Sequence, residues 1–465
     1  MSICDSGIEC KISGGVFSLH VDSKHQLILL ANSIPWNMMH ELVIADLKNS
    51  TAKKCWWRGR KLKVRSHLGA YILQQLANLT DRGIESAIKE NIVYQIFCGR
   101  EIVKDWKAPD HTKIESFRSR LSPGTQQRLA NLIARHAVEI NIADASMVDI
   151  DSTVQEANIT YPTDAKMLRK LGSIAAKVCG KINKIIPTDN LVVDLKNISS
   201  KARDYFFREK NTTSKQKYAL LSNLLESVSD PVKRVVSACK ALSESSTQKL
   251  KWNVKRSMKQ LLTHGEKYLD SVKLFIKTGK AKKNKRLSFH ADEVSCFSKG
   301  KVGKPYEFGR SFQIGRLNGN ILYIGKADAT IMHDKSSLQS MLEEHEFLFG
   351  NNQIDSLATD KGYYSERNVK RALKKNISEV GIQVPRNTKI KGVELSEEAN
   401  QRLRNRRAGI EPLIGHLKQG GQMGRSRMKN DRNVESSGYT SVLGFNLRQI
   451  MKRLVIKEEK RNMAF

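Results

Sequence analysis

One short stretch of period-two text constrains this chain more than any other feature. In Ser146-Met-Val-Asp-Ile-Asp-Ser-Thr-Val-Gln155 β-branched residues alternate with polar ones, which predicts a strand with Asp149 and Asp151 on the same face. From about Pro162 to Lys285 the pattern is helical instead, in runs such as Lys215–Ser227 and Pro231–Leu242. Strand text returns only in the segment from about His290 to Leu454. There Tyr306–Leu317 and Ile321–Ala329 read as paired strands around Asn318-Gly-Asn320. Lys335–Phe349 reads as a helix, Gln353–Thr359 as a strand, Ser365–Lys375 as a helix and Ser378–Val384 as a strand, with Glu397–Lys418 as one long helix. A strand, a helical insertion, two strands and then alternating helices and strands predict an α+β to α/β fold, a mixed sheet flanked by helices.

Ahead of the first strand the chain reads as helical. Ser66–Ala77 is an apolar helix, Asn78–Gly83 a break with Thr80 as its N-cap candidate, and Glu85–Gln95 a second amphipathic stretch. Either a helix-turn-helix or a small bundle accounts for this. Asp110 or Thr112 starts a further helix whose polar face carries Lys113, Arg118 and Arg120, open to phosphates or to water.

Charge narrows the partner. Lys and Arg number 80 against 47 Asp and Glu, a formal net charge of +33, and the sequence pI is near 9.9. Such a balance points to a polyanion, with nucleic acid the first candidate. No run approaches the roughly 18 apolar residues of a spanning helix, and Met1–Gly14 lacks the order of a signal peptide. A soluble intracellular protein is expected. Cys4, Cys10, Cys55, Cys98, Cys179, Cys239 and Cys296 are odd in number and form no C-x-x-C pair, so they read as reduced and mostly buried. Seven Lys or Arg fall from Lys273 to Arg286 with no acid among them, Lys282, Lys283 and Arg286 included. That tract is either a solvated helix end or a stripe that tracks DNA.

Against this basic background three carboxylates occupy positions that solubility does not require. Asp151 ends the first strand, Asp360 directly follows the apolar strand ending at Thr359, and Glu411 lies within an Arg-rich helix. Phosphodiester chemistry needs such a set, because Mg²⁺ takes oxygen ligands from a few carboxylates plus water and phosphate. Carboxylates gathered without a cation repel one another and rise in pKa. On spacing alone the two Asp are also explained as loop-starting acids and Glu411 as an ion-pair partner of Arg407.

The text around each acid shifts that balance. Val148-Asp-Ile-Asp-Ser-Thr-Val-Gln-Glu-Ala-Asn-Ile-Thr-Tyr-Pro-Thr-Asp-Ala-Lys-Met-Leu168 resembles the first catalytic block of bacterial insertion-sequence transposases with a DDE triad, and Ala358-Thr-Asp-Lys-Gly-Tyr-Tyr-Ser365 resembles their second. Arg407-Ala-Gly-Ile-Glu-Pro-Leu-Ile-Gly-His-Leu-Lys418 keeps their R-x3-E-x6-K spacing, which on one helix places Arg407, Glu411 and Lys418 on a shared face. The family signature often has Tyr three residues before its Arg, where this chain has Arg404. Lys299–Gly309 and Tyr94–Gly99 are similar to further blocks of the same family. Asp149 competes with Asp151 from the same strand face, and the Asp-Ser-Thr context favours Asp151. His416 reads as a phosphate or structural residue, since metal activation makes a catalytic base unnecessary.

The resemblance implies an RNase H-like core in residues 140–161 and 287–454, a helical insertion with a basic end in 162–286, a helical DNA-binding or dimerisation domain in 1–139 and a basic tail in 455–465. It implies a DNA transposase in which Asp151, Asp360 and Glu411 hold two Mg²⁺ or Mn²⁺ ions for end cleavage and strand transfer. Arg407, Lys418, Arg118, Arg120, Lys282, Lys283 and Arg286 are its expected DNA contacts. The implied partners are double-stranded DNA at transposon ends and target, with the chain as a homodimer, away from any membrane, on the bacterial nucleoid in the cytoplasm. Within the same fold, an inactive DNA-binding protein or a nuclease that never rejoins ends is the alternative.

Overall fold

A computed structural model describes residues 8–12, 15–19, 21–49, 63–99, 108–184, 191–282, 285–301, 304–327, 333–384, 395–429 and 431–463. They fall into two compact units, residues 1–158 with 309–465, and residues 159–308. The fold is a mixed α/β one.

In the first unit, strands β1 (Ile8–Ile12) and β2 (Gly15–Leu19) form an antiparallel hairpin. Among the described residues seven helices follow: α1 (Gln26–Ser33), α2 (Trp36–Asn49), α3 (Val64–Leu76), α4 (Asp81–Glu90), α5 (Ile92–Phe97), α6 (His111–Arg120) and α7 (Pro123–Glu139). Their ends are set by local chemistry. The Thr80 hydroxyl accepts the Gly83 amide at 3.0 Å to start α4, and Asp110 accepts the Thr112 amide at 2.8 Å to start α6. These helices bury Leu68, Tyr71, Phe97, Phe117 and Leu129 in one core with the sheet residues Val148, Ile150, Phe312 and Leu357. The separate amino-terminal domain expected over 1–139 is therefore corrected: its helices share their apolar interior with the sheet.

β3 (Asp144–Glu156) is the sheet's central strand. It pairs antiparallel with β5 (Lys304–Asn318) and parallel with β7 (Ser356–Thr359), which pairs parallel with β8 (Glu379–Ile382). The strand order is β4 (Ser295–Lys301), β5, β3, β7, β8, and β6 (Ile321–Ile324) also pairs with β5 through a turn in which Gly319 has φ +92°. Along its other edge β6 has backbone groups with no strand to meet. Two side-chain amides take that role: Asn446 accepts the Leu322 amide at 2.9 Å and donates to its carbonyl at 2.7 Å, and Asn131 does the same for Ile324 at 2.9 Å each way.

Helices α13 (Asp334–Phe349), α14 (Glu366–Lys374), α15 (Glu397–Ala408), α16 (Ile410–Gln419) and α17 (Asp431–Met463) complete this unit. The long helix expected over Glu397–Lys418 is broken at Gly409. Pro412 has no N–H to give the Ala408 carbonyl, so the ladder must restart there. α17 runs to Met463, and the tail expected over 455–465 is, as far as it is described, a continuation of that helix.

The second unit holds α8 (Asp164–Ile182), α9 (Leu195–Arg208), α10 (Ser214–Ala241), α11 (Glu244–Lys249), α12 (Trp252–Thr278) and β4. Its own core includes Leu168, Leu171, Leu224, Val228, Val232 and Leu269. The runs read as Lys215–Ser227 and Pro231–Leu242 are one helix with Pro231 inside it. The expected insertion bounds of 162–286 widen to 159–308. Glu156 and Gly309 are register partners across β3 and β5, so the chain leaves the sheet and re-enters it at adjacent points. Among the described cysteines with described side chains, Cys98, Cys179 and Cys239 are buried, Cys296 is half-buried, and all four are free. No described helix is long and apolar enough to cross a membrane.

Close packing in the first unit makes a paired prediction. A Cβ added at Gly438 of α17 would lie 2.2 Å from the Phe312 ring, whereas one at Gly415 of α16 meets nothing within 4 Å. Gly438→Ala is expected to cost about 1–3 kcal/mol through overpacking, and Gly415→Ala to gain about 0.5–1 kcal/mol from helix propensity. Chemical denaturation of the two variants checks both signs.

Candidate active site

Parallel strands in register bring their following residues side by side. Ile150 of β3 is the partner of Thr359 of β7, so Asp151 and Asp360, the next residue of each chain segment, lie side by side where β7 ends; Asp151 itself is not the end of its strand, as expected, because β3 runs on beside β5 to Glu156. Asp360 caps a 3₁₀ turn at Lys361–Tyr363, its Oδ1 accepting the Gly362 amide at 2.8 Å. Asp151 accepts the Ser152 amide at 2.7 Å. Burial pushes the Asp151 carboxyl up to about 6; the Ser152 amide and Arg407 pull against that, while the Asp360 and Asp334 carboxylates add to it.

Asp334, at the start of α13, is a functional candidate that the sequence reading passed over. A Cβ built on Gly362 would lie 3.0 Å from Asp334 Oδ2 and 3.0 Å from Asp360 Oδ1. Only glycine leaves the space between these two carboxylates open. Asp334 Oδ1 accepts a long 3.4 Å hydrogen bond from Gln313, whose Oε1 accepts the buried Tyr363 hydroxyl at 2.5 Å. In sequence Asp334 looks like any acid in a helix's first turn, and nothing local marks it.

Asp149, the rival to Asp151, has a different environment. It is 3% exposed, with Arg406 Nε at 2.7 Å from one oxygen and Arg316 Nη1 at 3.3 Å from the other. Both oxygens are committed to guanidinium groups, which leaves Asp151 as the acid of this pair facing the other carboxylates.

Glu411 lies in the first turn of α16 with its side chain 61% exposed, and Arg407 Nη2 holds it at 3.1 Å. The same nitrogen is 3.8 Å from Asp151, so one guanidinium stands between the first and third acids. Arg407 Nε is buried without a hydrogen-bond partner among the described residues. Among the described residues, the three-residue set with ligand atoms all within 4.8 Å is Glu85, Asp110 and His111, not Asp151, Asp360 and Glu411. That other set is occupied otherwise. Glu85 meets Lys89 Nζ at 2.6 Å and His111 Nδ1 at 2.7 Å, while Asp110 caps α6.

The donor set at the sheet end could hold a hard divalent cation. The Asp360 and Asp334 carboxylates add to the rise of Asp151, Gly362 keeps open the space between those two, and all the donors are oxygens. Glu411 would join them only by parting from Arg407.

The expected DNA contacts separate into groups. Arg118 is corrected: it is 8% exposed, and its guanidinium is bonded to Asp81 and, at 3.1 Å, to Gln74. It follows Ile114 and Phe117 on the inward side of α6, and the Asp81 partner makes its burial affordable. Arg120 is exposed in the last turn of α6, and Lys418 is half-buried on α16. Lys282 is exposed, Arg286 is bound to Asp292 at 2.8 Å and 3.1 Å, and Lys283 lies outside the described residues. Lys285 of the same tract meets Asp164 at 2.6 Å, so part of that basic run is structural.

Comparisons with known proteins bear on the family of the chain. Residues 16–120 match the family described as Transposase domain (DUF772). A curated relative, "Uncharacterized protein ORF8 in nfe locus" from Rhizobium meliloti, is 26% identical over 159 residues, covering 32% of this chain and 70% of its own. No solved structure gives a significant match. The matches support a transposase family, and with it a DNA-processing role.

The raised Asp151 carboxyl makes stability depend on pH. An ordinary Asp titrates near 3.9, so the folded chain binds this proton more tightly than the unfolded chain. Its contribution therefore favours folding below pH 4 and is lost as pH rises through 6. Keeping the group ionised in the fold costs on the order of 2–3 kcal/mol at pH 8. Calorimetry in chelator should find Asp151→Asn more stable than the unsubstituted chain at pH 8, with the gap narrowing at pH 5. A variant equal to or below it at pH 8 would refute the electrostatic account.

Proposed function

We propose that this chain is a DNA transposase of the DDE type, built on an RNase H-like core. The observation that carries the reading is the register of β3 and β7, which sets Asp151 beside Asp360 where β7 ends, with the carboxyl of Asp151 raised. Supporting it are the mixed sheet centred on the acid-bearing strand and the third acid on a helix reached after the last strand.

In this reading Asp151, Asp360 and Glu411 hold two Mg²⁺ or Mn²⁺ ions, with Asp334 beside them. Such ions activate the attacking oxygen and neutralise the leaving one. The chain's own residues then have defined tasks. Asp151 must be ionised to serve, and Gly362 keeps the approach between Asp360 and Asp334 clear. Arg407 releases Glu411 and turns its charge to a backbone phosphate, with Lys418 as a second phosphate contact. Water attacks a phosphodiester at the transposon end and frees a 3′-hydroxyl; that hydroxyl attacks target DNA, and a phosphodiester bond forms as another breaks. Arg120, Lys282 and the amino-terminal helices supply duplex contacts, and a homodimer brings two ends together. With DNA as partner, the bacterial nucleoid is the proposed location.

A second reading has an observation of its own. Glu411 is exposed and already paired with Arg407, as in a DNA-binding protein or non-joining nuclease that has kept the fold. One experiment separates them. Asp360→Asn is expected to abolish Mg²⁺-dependent cleavage of end-containing DNA, at least a hundredfold, while a gel-shift retains the complex. Cleavage at the unsubstituted rate would refute the assignment, and an unsubstituted chain that shifts DNA without cutting it would favour the binder.

A further inference from the structure

An ionic ladder crosses the sheet beneath α15, four strands wide. Arg316 on β5 faces its register partner Asp149 on β3 at 3.3 Å. Asp149 accepts from Arg406 of α15 at 2.7 Å. Arg406 also reaches β7, donating to Ser356 Oγ at 2.7 Å and to the Ser356 carbonyl at 3.1 Å, and it reaches the Val148 carbonyl of β3 at 3.3 Å. Ser356 in turn donates to its register partner Glu379 on β8 at 2.8 Å, and Glu379 is paired with Arg402 of α15. Arg316 closes the path by donating to the Arg406 carbonyl at 2.9 Å.

The geometry points to Arg406 as a positioning residue for the metal-binding acids, an inference that rests on the reading of Asp151, Asp360 and Glu411 given above. One guanidinium grips both acid-bearing strands a few residues before their acids: Val148 precedes Asp151 by three positions and Ser356 precedes Asp360 by four. It also fixes the helix whose next residue, Arg407, stands between Asp151 and Glu411. A planar fork can serve four acceptors on two strands at once, whereas a lysine ammonium presents a single point. Packing alone would not place α15 over the sheet, because among its residues only Leu403 is buried. The helix is therefore placed by the ladder rather than by an apolar face.

The test uses the full-length chain, with Mn²⁺ as the probe, titrated by the electron paramagnetic resonance signal of the free ion. Arg406→Lys and Asp149→Asn are compared with the unsubstituted chain and with Asp360→Asn, each also followed through thermal melting. Expected are cooperative melting in both ladder variants, Mn²⁺ affinity at least tenfold weaker, and cleavage that recovers as Mn²⁺ is raised. Unchanged Mn²⁺ affinity in both, whatever happens to melting, overturns the inference while the metal site stands. Loss of cooperative melting in both also overturns it, since the ladder would then be holding the fold at large. If the unsubstituted chain and Asp360→Asn bind Mn²⁺ equally, the underlying reading of the metal site is what fails.

Discussion

The parallel pairing of β3 with β7, Ile150 opposite Thr359, is the constraint on which the rest of the site depends. A parallel pair cannot be joined by a tight turn and needs a crossover. The crossover here contains the second unit and then β5, β6 and α13, and α13 begins at Asp334. The connection that topology demands thus delivers a third carboxylate to the strand ends. A slip of one residue in this pairing would turn Asp360 to the opposite face from Asp151. The buried residues of β7, Ser356 through Thr359, hold the register, since each side chain fits one layer only.

Charge on the sheet is balanced until it reaches that end. Asp149 has two guanidinium partners and Glu379 has Arg402, whereas Asp151, Asp334 and Asp360 face one another with Arg407 as the near cation. Burying like charges opposes folding, and a protein tolerates it where the charge has another use. The neutralised acids therefore mark the scaffold, and the crowded ones mark the place where a cation or a proton is wanted. This distinction separates Asp149 from Asp151, which share a strand face and differ by only two positions.

Much of this was legible in the chain. Period-two text marked β3, the Asn-Gly-Asn turn marked the β5–β6 hairpin, and Thr80 and Asp110 announced their helices, because these are local effects of side chain on backbone. Asp360 was readable as an acid directly after a strand, whereas Asp151, expected to end its strand, lies within β3, which stays paired with β5 as far as Glu156. What depends on contacts distant in sequence was not readable. Arg118 has the look of a surface cation until Asp81, 37 positions away, is placed beside it. Asn131 and Asn446 look like ordinary helical amides until a strand edge lies against each. Pro231 fails as a helix stop because tertiary packing of Val228 and Val232 outweighs one missing hydrogen bond.

Arg407 connects the acids of the sheet with the acid of α16. Its side chain is 19% exposed, its Nε has no hydrogen-bond partner among the described residues, and its Nη2 lies 3.1 Å from Glu411 and 3.8 Å from Asp151. A guanidinium so placed supplies positive charge where the acids would otherwise repel, yet one of its own donors meets no acceptor among the described residues, and a buried donor left unmatched costs about 1–3 kcal/mol. The arrangement is therefore a compromise for both partners. An anion that offered Nε an acceptor, as a phosphate oxygen does, would draw Arg407 away from the acids just as a cation replaced it among them. In the proposed reading, substrate and metal would then favour each other's binding through a single side chain, without any movement of the sheet that holds the acids.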